Sequence, residues 1–329
     1  MSNESNPGTY RVEADDATVH SNWNRDLEPV ETVESGDVVE FTCRDATDGQ
    51  IGPDSSVADV VDLDVGPVHP LTGPIAIDGA QPGDVLEVEL LEVEHHGWGW
   101  TLVLPGAAEL GLLSAEFSDP ALHVWKLEDD VGHFVNGIEV PLNPFPGIVG
   151  VAPEEPGDHE TFPPRAVGGN LDIRHLTEGS TVYLPVAVED ALFSIGDCHA
   201  AQGDGEVCGS AIEAPMTVTC RFDVRTDLDI EHPQFETTGP FTPTGREGPT
   251  FCTSGVADDL QEAAKTAVRA MIEHLHDERG LTREQAYMLC SAAVDLKINE
   301  VVNAPNWVVS AYVQEEIFPE DRRRSALEG

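Results

Sequence analysis

Ser35-Gly-Asp-Val-Val-Glu-Phe-Thr-Cys43 reads as a tight turn feeding a strand, and three further segments follow the same grammar. Within it Val39, Phe41 and Cys43 alternate with polar neighbours, the period of a strand with one buried face. Leu86, Val88 and Leu90 alternate likewise after Pro82-Gly83-Asp84. So do Val182, Leu184, Val186 and Val188 after Glu178-Gly179-Ser180, and Val218, Cys220, Phe222 and Val224 after Pro215. Glycine and aspartate are the residues that close such turns. With 30 glycines and 24 prolines punctuating short strands, residues 36–225 are expected to form an antiparallel sandwich or barrel.

Helix is deferred to the last third. Leu260, Ala263, Ala264, Ala267, Val268, Met271, Ile272 and Leu275 form an apolar stripe at helical spacing, with Gly280 placed to stop it. Thr282 and Gln285 make a capping box for a second helix through about Cys290. Alternation returns at Val294, Leu296 and Ile298, a turn is read at Asn303-Ala-Pro-Asn306, and 307–313 is a strand candidate. The fold class is therefore α+β and β-rich. Its expected organisation is an irregular arm (1–35), a β-rich catalytic region (36–225) and a surface connection (226–256). An α+β portion (257–318) packs on the β region, and a tail (319–329) closes the chain.

The 329 residues include 61 acidic and 17 basic side chains, a formal net charge of −44. Such a field repels nucleic acid and anionic membranes. No apolar run approaches the roughly 20 residues of a membrane helix, and the N-terminus has no basic or apolar leader. The expectation is a cytoplasmic protein of a high-salt organism, because molar salt shortens the Debye length to about 3 Å and relieves self-repulsion. Six cysteines occur without a Cys-x-x-Cys pair and read as buried hydrophobes. Cys208 is a poor nucleophile among acidic neighbours.

The chemistry concentrates in residues 168–209, where Asp172, Asp197, His199, Asp204 and Glu206 stand among glycines. About one position in five is acidic in this chain, so only a cluster that mixes carboxylates, imidazole and glycine carries weight. Asp197-x-His199 places two metal-type ligands on one side of a strand, or convergent on a turn. Glu206 is a further ligand or a proton shuttle. Asn170 and Asp172 fall on one side of an extended segment, and Arg174 reads as a structural partner for a carboxylate. His69 sits in the rigid loop Val68-His-Pro-Leu-Thr-Gly-Pro74, while Trp98 and Trp100 read as packing. No phosphate loop, dinucleotide fingerprint or Gly-x-Ser-x-Gly elbow is present. Three readings stay open on these residues: a hydrolase with metal-activated water, a cupin-like Fe²⁺ enzyme, and a Ca²⁺-stabilised β protein without catalysis.

Longer motifs narrow the choice. They include His69-Pro-Leu-Thr-Gly-Pro-Ile75, Gly79-Ala-Gln-Pro-Gly-Asp84, Gly97-Trp-Gly-Trp100 and Pro144-Phe-Pro-Gly-Ile-Val-Gly-Val-Ala-Pro153. Gly168-Gly-Asn-Leu-Asp172, Phe193-Ser-Ile-Gly-Asp-Cys-His-Ala-Ala-Gln-Gly-Asp-Gly-Glu-Val-Cys-Gly209 and Asn303-Ala-Pro-Asn-Trp-Val-Val309 complete the series. From Gly36 to about Phe318 the chain resembles the acetamidase/formamidase family. That resemblance implies hydrolysis of formamide or acetamide to ammonia and the carboxylate, in a homo-oligomer holding a divalent metal, zinc first and calcium second. It implies Asp172, Asp197 and His199 as metal-facing residues and Glu206 as acid/base, with Asp172 also counted as catalytic. Asn170, His69 and Asp45 are expected to contact the amide substrate.

Overall fold

The structure, a computed structural model, describes residues 8–105, 111–237, 249–301 and 305–319. Two six-stranded sheets form its centre. The first runs in the order Thr9–Val12, Val38–Cys43, Met216–Arg225, Val85–His95, Thr181–Pro185, Gln234–Glu236. The second runs Gly168–Asn170, Phe145–Val151, Phe193–His199, Leu71–Ile77, Val19–His20, with Glu31–Val33 alongside Leu71–Ile77. The period-two residues do what their spacing demands. Val39, Phe41, Leu86, Val88, Val218 and Phe222 of the first sheet share one buried cluster with Ile75, Val149, Phe193 and Ile195 of the second. Phe193 joins Phe41 and Phe222 at ring separations of 5.9 and 4.9 Å, an aromatic knot between the layers. The core is a sandwich, as its alternation requires.

A four-stranded sheet, Glu139–Pro141, Val131–His133, Ala121–Glu128, Trp98–Val103, adds a lateral layer. The C-terminal portion is a three-stranded sheet, Thr250–Ala257, Trp307–Gln314, Val294–Glu300, with two helices against it. Helix Leu260–Arg279 begins at Asp259, whose carboxylate accepts from Glu262 N at 3.0 Å, and ends at Gly280 with φ of 67°. Helix Arg283–Ala293 starts on the Thr282–Gln285 capping box and runs past Cys290 to Ala293.

Two expected boundaries differ. The arm 1–35 contributes four short strands, and Trp23 is buried against Leu71 and Ile148. Strands of two to four residues carry too little period to read. Within 226–256, residues 250–256 are strand rather than connection. Their Thr, Ser and Gly content mimics a loop, but the strand pairs with Trp307–Gln314 along its whole length. Gly255 lies directly on the Ala263 carbonyl, so the helix can seat only where position 255 has no side chain. Residues 302–304, 238–248 and 320–329, which hold much of the expected turn, connection and tail, lie outside the described residues.

Candidate active site

The site is built where one strand turns over. Along Phe193–His199, Phe193 and Ile195 point into the sandwich core. Asp197 then adopts φ of 50°, a left-handed conformation in a non-glycine residue. The parity of the strand inverts there: Cys198 joins the core, and the side chains of Asp197 and His199 emerge together on the opposite side. Asp172 arrives from the adjoining edge, just beyond Gly168–Asn170, with its amide donating to Gly147 O at 3.2 Å. Glu206 and Glu213 come from the loop leading to Met216–Arg225. Glu213 is fixed by paired backbone bonds with Trp100, each 2.8 Å long.

These side chains converge. One ligand atom each from Asp172, Asp197 and His199 lies within 4.8 Å of the others, and the same holds for His199, Glu206 and Glu213. His199 Nε2 stands 3.1 Å from Glu213 Oε2 and 3.7 Å from Asp197 Oδ2. His199 Nδ1 faces Gln202 Oε1 at 2.9 Å. Across the strand, His69 Nε2 is 3.8 Å from Asp197 Oδ1. The side chains of His199 and Asp197 are 1% and 3% exposed whereas Asp172 is 20% exposed, and Glu206 is likewise only partly buried.

Charge on this scale cannot be buried unpaired. Asp172 Oδ1 and Asp197 Oδ1 are buried without a hydrogen-bond partner among the described residues, and His199 Nε2 and Glu213 Oε2 face each other at 3.1 Å without an aligned hydrogen bond. Burial, aided by Asp197 and Glu213, pushes the Asp172 carboxyl up to about 8. Burial and the Asp172 charge push Glu206 well above its ordinary value, and burial raises Glu213. Burial would also raise Asp197, but the His69 and His199 rings outweigh it and hold that carboxyl down to about 2. Burial opposes a charge on His199, yet Glu213 and Asp197 prevail and raise it. Four carboxylates around one imidazole, with orphaned atoms facing inward, are the donor set of a divalent cation site. The residues fit the metal that the sequence resemblance implies.

Space for the cluster is made by Gly147. A Cβ there would come within 2.6 Å of Asp172 Oδ1, 2.7 Å of Asp197 O and 2.9 Å of His199 Cε1. Helix Arg283–Ala293 braces the loop from behind: Tyr287 Oη accepts from Leu113 N and donates to Val207 O, and Ser291 Oγ accepts from Cys208 N at 3.1 Å.

Other residues singled out in the sequence fall into place around this centre. Asn170 Nδ2 donates to Phe162 O at 3.2 Å, leaving Oδ1 buried without a partner among the described residues. The His69 ring packs on Phe162 at 4.3 Å. Asp45 does not face the centre with a free carboxylate. Its oxygens accept from Thr47 N (3.0 Å), Gly49 N (2.8 Å) and Trp100 Nε1 (3.2 Å). That ties down the loop whose Ala46 carbonyl accepts the His69 amide at 2.8 Å. Asp204 is drawn away to Arg174, 3.2 Å from its Nε, which makes Arg174 the carboxylate partner expected. Cys208 is fully enclosed, its thiol pushed by burial up to about 11. Ser194 bonds His20 Nε2 at 2.9 Å but is 0% exposed, out of any substrate's reach. Sequence reasoning passed over Glu213, Gln202 and Gly147. The signal for Glu213 was a single acid enclosed by apolar residues, Ala211-Ile212 and Ala214.

The β-sandwich thus carries a buried carboxylate–imidazole centre, and comparison with known proteins gives the class of chemistry. The chain belongs to the acetamidase/formamidase family, whose sequence profile matches residues 8–157 and 157–320, and it is an amide C–N hydrolase. It is 31% identical to a formamidase of Methylophilus methylotrophus over 94% of this chain and 92% of that one. It is 28% identical to an acetamidase of Mycolicibacterium smegmatis over 89% of each. The solved structure of a gamma lactamase from Delftia acidovorans superposes with a TM-score of 0.88 at 26% identity, covering 96% of this chain and 95% of that one.

Proposed function

We propose that the enzyme hydrolyses a short aliphatic amide, formamide or acetamide, to ammonia and the carboxylate, using water activated at the Asp172–Asp197–His199 centre. The observation that supports this most is the set of orphaned, buried atoms of Asp172, Asp197, His199 and Glu213 meeting beside Glu206. Asp197, His199 and Asp172 would hold a divalent cation, which when bound polarises the amide carbonyl and acidifies water. The imidazole among the ligands favours Zn²⁺, because Ca²⁺ takes oxygen ligands; Ca²⁺ is the alternative.

The protein's own groups do the rest. Glu206 takes the proton of the attacking water and passes it to the departing nitrogen as the C–O bond forms and the C–N bond breaks, so that ammonia leaves rather than amide anion. Asp172, the most accessible of the three cation-facing residues, faces the incoming substrate. Asn170 Oδ1 and His69 Nδ1, both buried without partners among the described residues, are the atoms that would meet the substrate's polar groups. Asp45 contributes at one remove, by fixing the loop behind His69. The backbone agreement with a gamma lactamase favours a five-membered cyclic amide as a second substrate, opened by the same chemistry to an amino acid. The setting we propose is the cytoplasm of a high-salt organism, and the assembly a homo-oligomer, which light scattering in molar salt will measure.

The test is ammonia release from formamide and acetamide, with 2-pyrrolidinone opening followed as free amine, each with and without chelator. Glu206→Gln is expected to abolish turnover with cation content unchanged. Full activity in that variant removes the role given to Glu206, and indifference to chelator removes the cation.

A further inference from the structure

The amide of Gln202 sits between two groups of the centre, and its orientation is not free. Gln202 Nε2 lies 2.9 Å from the Asp172 carbonyl oxygen, an atom that can only accept. The NH₂ end of the side chain must therefore face Asp172, which turns Oε1 toward His199 Nδ1 at 2.9 Å. An amide oxygen can only accept in turn, so His199 Nδ1 must carry a proton. The other ring nitrogen, Nε2, makes no aligned hydrogen bond among the described residues and points at Glu213 and Asp197, 3.1 and 3.7 Å away.

We infer that Gln202 is a positioning residue that locks His199 in the Nδ1–H form and presents Nε2 to the catalytic centre. The inference rests on the hydrolase reading above only in taking Nε2 as the working atom. Exchange of the two nitrogens by rotation of the ring is opposed from both sides. Phe145 meets the ring edge-on, 5.1 Å away at 84°, and Gly147 lies so near that a Cβ there would come 2.9 Å from ring Cε1.

Gln202 is itself held through its backbone. Its carbonyl accepts from Arg174 Nη1 at 3.2 Å, and Arg174 is paired with Asp295. The next residue donates from Gly203 N to Ser291 O at 2.7 Å and lies against the Val294 carbonyl, where no side chain fits. Gln202 is 4% exposed, so water does not compete for its amide. The C-terminal portion of the chain thus reaches His199 through one side-chain amide. A histidine ligand held through its second nitrogen is a better-aimed and more basic ligand.

The experiment compares Gln202→Met, which keeps the volume and removes both hydrogen bonds, with Gln202→Glu, which restores an acceptor for Nδ1–H but loses the donor to Asp172. In zinc-loaded protein labelled with ¹⁵N-histidine, the wild type is expected to show the His199 ring proton on Nδ1. Gln202→Met is expected to lose that signature and to bind Zn²⁺ about 10- to 100-fold more weakly, with kcat falling and KM little changed. Gln202→Glu is expected to recover the Nδ1–H signature and most of the Zn²⁺ affinity. An unchanged Nδ1–H signal and Zn²⁺ affinity in Gln202→Met overturns the inference. So does a failure of Gln202→Glu to restore the signal, should Gln202→Met not fold. Failure of the hydrolase reading looks different: the wild type shows the Nδ1–H signature and the Gln202 dependence, yet releases no ammonia from any amide.

Discussion

Gly147 and Asp172 are bound through the backbone, and only the absence of a side chain at 147 lets them approach so closely. The Gly147 carbonyl accepts the Asp172 amide at 3.2 Å, while a Cβ at 147 would come 2.6 Å from Asp172 Oδ1. Gly147→Ala is therefore expected to leave the strand Phe145–Val151 paired and to displace Asp172 and His199. A shift of about 1 Å at reacting groups costs roughly 100-fold in rate. We expect kcat/KM to fall by at least about that factor while the thermal midpoint drops by only a few degrees. Retained activity in this variant would show that the three side chains need not converge.

Glu213 faces His199 Nε2 at 3.1 Å with one oxygen and accepts from Ala211 N at 2.8 Å with the other. Glu213→Gln keeps the size and cancels the charge. It is expected to lower cation affinity or kcat by about 10- to 100-fold, read by competition with a chromophoric chelator. Wild-type affinity and rate would place Glu213 outside the chemistry.

Arg174 is a buried cation beside Asp295 and Asp204, two residues from Asp172 in sequence. Removing one member of a buried pair costs about 3–5 kcal/mol. Arg174→Met is expected to lose that much in urea unfolding, and Arg174→Lys less. A loss below about 1 kcal/mol would mean that water already screens the pair.

Acid sensitivity should report on His20. Burial holds its pKa down to about 4, and its Nε2 meets Ser194 Oγ at 2.9 Å. The folded value lies below the unfolded value of 6.5, so the unfolded chain takes up the proton first. Stability from this group is fully present above about pH 6.5 and is lost as pH falls toward 4, by at most about 3 kcal/mol. Unfolding midpoints at pH 7.5 and pH 4.5 should differ less in His20→Gln than in the wild type; equal differences would discount His20.

With 61 acidic and 17 basic residues, mutual repulsion burdens the folded chain at low ionic strength. Molar KCl is expected to raise the unfolding midpoint well above its value in dilute buffer. No dependence on salt would argue against a high-salt habitat.

Much of the architecture was legible because it rests on local pattern. Val39, Phe41 and Cys43 alternate and are buried together, and Thr282 with Gln285 caps a helix as its chemistry requires. Asp172, Asp197, His199 and Glu206 stood out because glycines crowd around them, and the structure brings all four to one centre. What stayed hidden depends on distance along the chain. The Asp45 carboxylate is claimed by Trp100 across a 55-residue separation, so no local motif tells a ligand from a loop fastener. Glu213 was lost in an acidic background. The inversion at Asp197 is a backbone event, and residue identity alone does not announce it.

That inversion has company. His69, Asp172, Asp197 and Glu206 all hold positive φ, at 59°, 47°, 50° and 40°. Each would relax by roughly 1 kcal/mol or more if exchanged for glycine, the residue that tolerates this geometry. Heat resistance and turnover therefore pull in opposite directions at four positions around one centre. A population selected for melting temperature alone would drift toward glycine there, gaining robustness as it lost its chemistry.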